Sequence, residues 1–163
     1  MLSVDVDGMR RAWREERLPS LRRRRTIAAL AAAGMADFAL ISLYQLGLVR
    51  HLPDPPGRLF ASDQVNSSHK AFAMGVPDGT TGALLYAGTL VLAAFGGTRE
   101  TGRRPLWSLL LGGAVAAGVV GALDYLRDMI FKQERACPYC LMGAALNFAM
   151  VPCVVPEVLS ALQ

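Results

Sequence analysis

Cys137-Pro138-Tyr139-Cys140 is the first place in this chain where residue types and spacing point to a reaction. Two cysteines at this spacing can cycle between dithiol and disulfide. Proline suits the first turn of a helix, where its missing N–H has no intrahelical partner. The positive end of that helix favours a thiolate on the leading cysteine. Cys153, the third cysteine, lies 13 residues beyond Cys140. That is about 20 Å of helix rise, against the ~7 Å that separates bridged Cα atoms at most, so a packing role is expected for it. Two other readings of the pair stand beside the redox one: a pair of small buried apolar side chains, or a zinc site. Zinc takes about four ligands, and His51 and His69, the only histidines, match no zinc spacing, so no metal is expected.

Two carboxylates fall where charge is unusual. Asp37 sits mid-way along an apolar run, where an unpaired aspartate costs roughly 2.5 to 3.5 kcal/mol on insertion scales. At helical spacing it shares a stripe with Tyr44, flanked by Gly34 and Gln45. A proton relay or cofactor contact is one reading of Asp37, and an interhelical hydrogen bond is the other. Asp78 stands at a helix N-terminus, where a carboxylate is favourable. A cap and a ligand contact both fit it.

The elements that must carry these residues are set by composition. Of 163 residues, 53% are apolar and 18% charged, and the mean hydropathy is +0.33. A soluble domain needs more charge on its surface, so an integral membrane protein is expected. Four runs suit spans of ~20 residues: Thr26–Val49, Gly79–Thr98, Pro105–Leu123 and Ala136–Pro156. The fold expected is therefore an all-α bundle of four transmembrane helices, a single domain over residues 26–163 behind a basic segment of residues 1–25. In the third run, Gly113, Ala117 and Gly121 recur every fourth residue, a spacing that lets helices approach closely.

Cations set the orientation. Eight arginines precede Thr26 (Arg10, Arg11, Arg14, Arg17 and Arg22 to Arg25), and Arg99, Arg103 and Arg104 lie between the second and third runs. Six Lys and Arg lie on the other side, so both termini are expected in the cytoplasm and the C-x-x-C pair at the extracytoplasmic face, where disulfides persist. A signal peptide is disfavoured because the apolar run is longer than the ~7 to 15 residue core of such segments. Residues 1–21 read either as an amphipathic helix on the anionic inner leaflet or as a solvated tail. No base-reading fold accompanies the basic segment, so no nucleic-acid partner is expected. Fifteen Arg against two Lys, with abundant Ala and Gly, suggest a GC-rich bacterial genome and hence a bacterial plasma (inner) membrane.

The connection Arg50–Asp78 is 29 residues long. Unstructured connections rarely exceed ~12 to 15 residues, so it is expected to be ordered. Pro53-Asp54-Pro55-Pro56-Gly57 makes a stiff turn, and Ser67-Ser68 reads as a cap on a half-helix over His69–Met74 that covers the bundle mouth.

Together, Ser67-Ser68, Gly75-Val76-Pro77-Asp78-Gly79 with Gly82 and Tyr86, and the C-x-x-C that opens the fourth run resemble the vitamin K epoxide reductase family over residues 34–152. The resemblance implies a quinone, ubiquinone or menaquinone, bound in the bundle as co-substrate. It gives Cys140 the quinone-facing role and Cys137 the exchange with a separate thioredoxin-like or substrate protein. Asp78 falls where the family often has a polar quinone contact, and Ala144 stands where some members have a tyrosine. Typical members also carry a second cysteine pair in the first loop; here that loop has none, and Ser62 stands near one of those positions.

The leading expectation is a quinone-dependent thiol-disulfide oxidoreductase that drives disulfide formation outside the cytoplasm, with Asp78 or Asp37 relaying protons. A non-catalytic scaffold of the same shape, binding a quinone, a lipid-like ligand or a protein, is the alternative. A transporter or channel finds little support in four short spans with one embedded aspartate.

Overall fold

The computed structural model describes residues 6–15, 18–95 and 105–163. Arg17, Arg99, Arg103, Arg104 and residues 96–98 of the second expected span lie outside the described residues. The chain folds as α1 (Val6–Glu15), α2 (Pro19–Gln45), a short α3 (Ser62–Asn66), a single 3-10 turn (His69–Phe72), α4 (Asp78–Phe95), α5 (Pro105–Asp128) continued by a π turn (Met129–Gln133), and α6 (Pro138–Ala161). Around the bundle, α2 packs on α4, α4 on α5, α5 on α6 and α6 on α2.

Three of the described helices are long and apolar enough to cross a membrane: α2, α5 with its π turn, and α6. The 18 described residues of α4 rise about 27 Å against a hydrocarbon core of ~30 Å. Large apolar side chains such as Leu84, Val91, Leu110, Val120, Phe148 and Val155 point outward and are exposed. Helices apolar all round belong in lipid, and the chain is a membrane protein.

Small residues and aromatic rings fill the inside. A Cβ on Gly34 would collide with the Tyr86 ring, and one on Gly82 or Gly143 with Phe38. Phe38 and Tyr86 lie with centroids 5.5 Å apart. These contacts bring α2, α4 and α6 together. The expected packing stripe on α5 is displaced, because nothing lies within 4 Å of a Cβ added at Gly113 or Gly121. Gly112, beneath Val158, and Gly118, beneath the Asn147 amide, make the close approaches instead.

The helix ends differ from the hydropathy limits for local reasons. α2 starts at Pro19, seven residues before Thr26, because proline is well placed at the first helical position and arginine is a good helix former. It stops at Gln45 rather than Val49, because Gly47 takes a left-handed conformation (φ 75°) and Leu48 N–H reaches back to Leu43 O at 2.9 Å. α5 runs past Leu123 on charged residues, and Lys132 pairs with Asp128 at 2.8 Å. α6 begins at Pro138, leaving Cys137 outside the helix as its N-cap, and is unbroken through Pro152 and Pro156.

Arg24 is buried rather than solvated. It pairs with Glu157 at 2.7 Å and donates to Leu92 O at 3.1 Å and to Ser108 Oγ at 3.1 Å, thereby joining all four long helices. Breaking such a pair from one side costs about 3 to 5 kcal/mol. Arg24→Met should therefore lower the thermal midpoint in detergent more than Glu157→Gln does, because the glutamine variant leaves Arg24 its carbonyl and hydroxyl partners. Negligible shifts in both would show that the pair carries no stability, and equal losses that the carbonyl and hydroxyl partners add none.

Candidate functional site

The Arg50–Asp78 connection is held against the start of α6 by backbone. Ala136 N–H donates to Leu59 O (2.9 Å) and Ala61 N–H to Ala136 O (3.0 Å), a parallel bridge one residue before Cys137. Asp54 accepts from Ser62 N–H (2.9 Å) and Ser62 Oγ (2.5 Å), anchoring the first turn of α3. Asp63 accepts from Leu52 N–H at 2.9 Å and lies 2.5 Å from His51 Nδ1. That contact raises the His51 pKa, so the charged pair exists below it and is lost as pH rises through it. Lys70 reaches Asp124 at 2.7 Å and stands 4.8 Å over the Tyr125 ring.

Over His69–Met74 the expected half-helix is only a 3-10 turn at His69–Phe72, and the α-helical part of the loop, α3, lies before it. The serines do not cap it: Ser67 Oγ donates back to Asp63 O at 2.6 Å, and Ser68 Oγ is buried without a partner. Asp54 and Asp63 do the anchoring. Their spacing gave no helical signal because they act across a proline turn.

Beneath this loop lie the two thiols, with sulfurs 2.6 Å apart. Cys137 is 0% exposed. Its sulfur accepts from Cys140 N–H at 3.2 Å, which caps α6, and from Asn66 Nδ2 at 3.2 Å, and the Ser62 hydroxyl also lies against it. The Cys140 thiol, chiefly, with the Cys140 N–H, Asn66 and Ser62, outweighs burial and brings the Cys137 thiol down to about 7. Cys140 is partly exposed and lines a cavity; Cys137 does not.

That cavity has a volume of about 260 Å³, near the lower end for small-ligand pockets. Phe38, Ile41, Leu85 and Ala117 give it apolar walls. Two polar stations interrupt them. In one, Asp78 accepts from Gln45 Nε2 at 2.5 Å and from the Tyr125 hydroxyl. In the other, Asn147 Nδ2 donates to Tyr86 Oη, and Tyr86 Oη to Gly143 O, both at 2.8 Å. Gly118 leaves room in front of Asn147 Oδ1. Ala144 lines the wall, and Met74, 68% exposed, brings the cavity to the surface.

Of the residues singled out in the sequence, Cys140 and Asp78 meet at this cavity and Cys137 lies directly behind it. Asp37 is not among the lining residues, and its Oδ2 is buried without a partner. The stripe it was expected to share splits: Tyr44 bonds Asp63 O in the loop and Gln45 bonds Asp78. Asn66, Tyr125 and Asn147 gave no sequence signal, since each is one polar residue in ordinary surroundings and only the fold assembles them. Cys153 is a helix residue whose thiol reaches Ala149 O at 3.9 Å. Among the described residues, no group of three or more His, Cys, Asp or Glu is placed to hold a metal ion.

An all-helical membrane domain with a dithiol against an apolar cavity belongs to the class of membrane redox proteins. The sequence model of the vitamin K epoxide reductase family matches residues 25–155, and the chain belongs to that family. No individual curated protein matches it.

Ser62 is fully buried against Cys137. Ser62→Cys should thus form a disulfide with Cys137 under mild oxidation, detected by peptide mapping. A thiol that stays free there while Cys137 and Cys140 oxidise normally would show that the two side chains do not meet in solution.

Proposed function

We propose that this chain is a membrane thiol-disulfide oxidoreductase that passes two electrons between partner-protein thiols and a membrane quinone, making disulfides outside the cytoplasm. The observation that carries it is the division of the pair: Cys140 lines an apolar cavity with hydrogen-bonding stations, while Cys137 is held behind it with its thiol near neutrality. Four spans are part of this reading, with α4 completing the bundle. Both termini then face the cytoplasm of a bacterial inner membrane, and the pair lies at the outer face.

A quinone head suits the cavity because its ring needs apolar walls and its two oxygens need partners. The Tyr125 hydroxyl, turned from Asp78, would donate to one oxygen; the Tyr86 and Asn147 donors are engaged with Gly143 O and each other, so that station suits the quinol, whose hydroxyl would donate to Asn147 Oδ1. In the forward direction a partner thiolate attacks the Cys137–Cys140 disulfide, and a second partner thiol displaces the mixed disulfide, leaving the pair reduced. The pair then returns to disulfide as the quinone takes two electrons and two protons to become quinol. One proton leaves Cys140. The other comes from Cys137 where it is a thiol, as about half of it is at pH 7, and otherwise from the Tyr125 hydroxyl beside Asp78, which then regains a proton from water. Asp37 has no step in this scheme.

One observation favours the non-catalytic alternative. Cys137 is covered by α3, and the loop that covers it has Ser62 where a relay thiol would stand. In the catalytic reading this loop lifts to admit the partner, a separate thioredoxin-like or substrate protein.

Reduced protein mixed with a soluble ubiquinone or menaquinone analogue should lose two thiols on alkylation counting, and Cys137→Ser or Cys140→Ser should abolish the loss. No loss with either quinone would favour the scaffold. With the Cys137 thiol near 7, the rate should rise about tenfold between about pH 6 and pH 8 and then level off. A flat profile would remove the Cys137 thiolate from the slow step. Asp78→Ala should raise the quinone KM about tenfold, the worth of one charged hydrogen bond. Unchanged kinetics would return Asp78 to a capping role.

A further inference from the structure

Among the described residues, Asn66 is the one side chain hydrogen-bonded to both sulfurs. It ends α3, is 2% exposed, and lies on the loop rather than on α6. Its Nδ2 donates to Cys137 Sγ at 3.2 Å and to Ser62 O at 2.8 Å, and its Oδ1 faces the Cys140 thiol at 3.7 Å. Two acceptors on one side and a donor on the other settle which end of the amide is nitrogen. Gln45 Nε2, which also bonds Asp78, donates to Asn66 O at 3.1 Å, so the same residue is tied to the cavity station.

We propose that Asn66 is the positioning residue of the thiol pair, its amide donating to the Cys137 sulfur with one end and offering the Cys140 S–H a second acceptor beside Cys137 with the other, so that closing the loop and ordering the pair are one event. The assignment rests on the redox reading of the site and deepens it. A hydrogen bond to a charged sulfur is stronger than one to a neutral thiol, so the Asn66 N–H favours thiolate on Cys137. Its carbonyl, an acceptor only, favours the remaining proton on Cys140. The donor comes from the loop, and the loop must leave for a partner to reach Cys137. The sulfur is therefore poised while the loop is closed over it and loses that support when the loop opens to a partner. No other cavity-lining side chain is hydrogen-bonded to both sulfurs among the described residues.

Two substitutions separate this role from packing. Asn66→Ala removes donor and acceptor. Asn66→Leu keeps the size and removes both. In a Cys153→Ser background that leaves only the pair, thiolate absorbance is followed between about pH 5 and pH 9, with thermal unfolding as a check on folding. The lower midpoint should move up by about one unit in both variants, or about tenfold less thiolate below it. A packing role leaves the same-sized leucine near wild type. That outcome, or midpoints unmoved in both variants, overturns the proposal, and if the alanine variant does not fold the leucine variant decides alone. Quinone-driven thiol loss is measured on the same samples. Its absence in wild type, with the midpoints shifted as stated, removes the quinone reading but keeps Asn66 as the residue that orders the pair. Its presence with unmoved midpoints removes Asn66 alone.

Discussion

Everything at the loop-covered end of this bundle depends on one buried sulfur accepting hydrogen bonds at the start of a helix. Cys137 is the N-cap of α6, so its acceptor capacity fixes where the helix begins and which way Cys140 points. The same sulfur receives Asn66 from α3, and the residue before it pairs with Leu59 and Ala61. One position thus starts a membrane helix, docks a 29-residue connection and closes the back of the cavity. A sulfur in this setting is a stronger acceptor as thiolate than as thiol. Local structure and the charge on this sulfur are therefore coupled directly.

The bundle beneath keeps the site rigid with few large core side chains. Glycines at the helix contacts leave space that Phe38, Tyr86 and Asn147 occupy, and where α5 carries Gly121 with no neighbour the space becomes cavity. The far end is clamped by Arg24 and Glu157, which draw α2, α4, α5 and α6 together. The loop, lacking cysteines, is tied down by carboxylates and backbone: Asp54 on Ser62, Asp63 on Leu52 and His51, and Lys70 on Asp124. Such ties are individually weak and reversible, which suits the lifting that the proposed exchange at Cys137 requires.

The sequence disclosed what depends on short-range pattern. The C-x-x-C spacing, Pro138 at a first helical turn and the apolar runs each follow from local chemistry, and the family model matches across nearly the same residues as the motifs. Boundaries were less legible, because Gly47, not hydropathy, ends α2, and charge at Arg22 to Arg25 hid a helix that burial of Arg24 stabilises. The α5 stripe misled because small residues allow a contact but do not require one. Asn66, Tyr125 and Asn147 were invisible, since the partners that matter lie between 47 and 74 residues away or in a cavity that exists only after folding. Asp37 shows the converse: an intramembrane charge reads as functional, yet it stands outside the cavity.

The central claim is that the pair and a quinone share electrons at equilibrium. The most direct measurement incubates the protein with quinone and quinol at a series of fixed ratios and reads the fraction of disulfide by intact mass after alkylation. The account predicts a single two-electron curve, in which each tenfold change in the quinone-to-quinol ratio changes the disulfide-to-dithiol ratio tenfold. A disulfide fraction that ignores the ratio would contradict it.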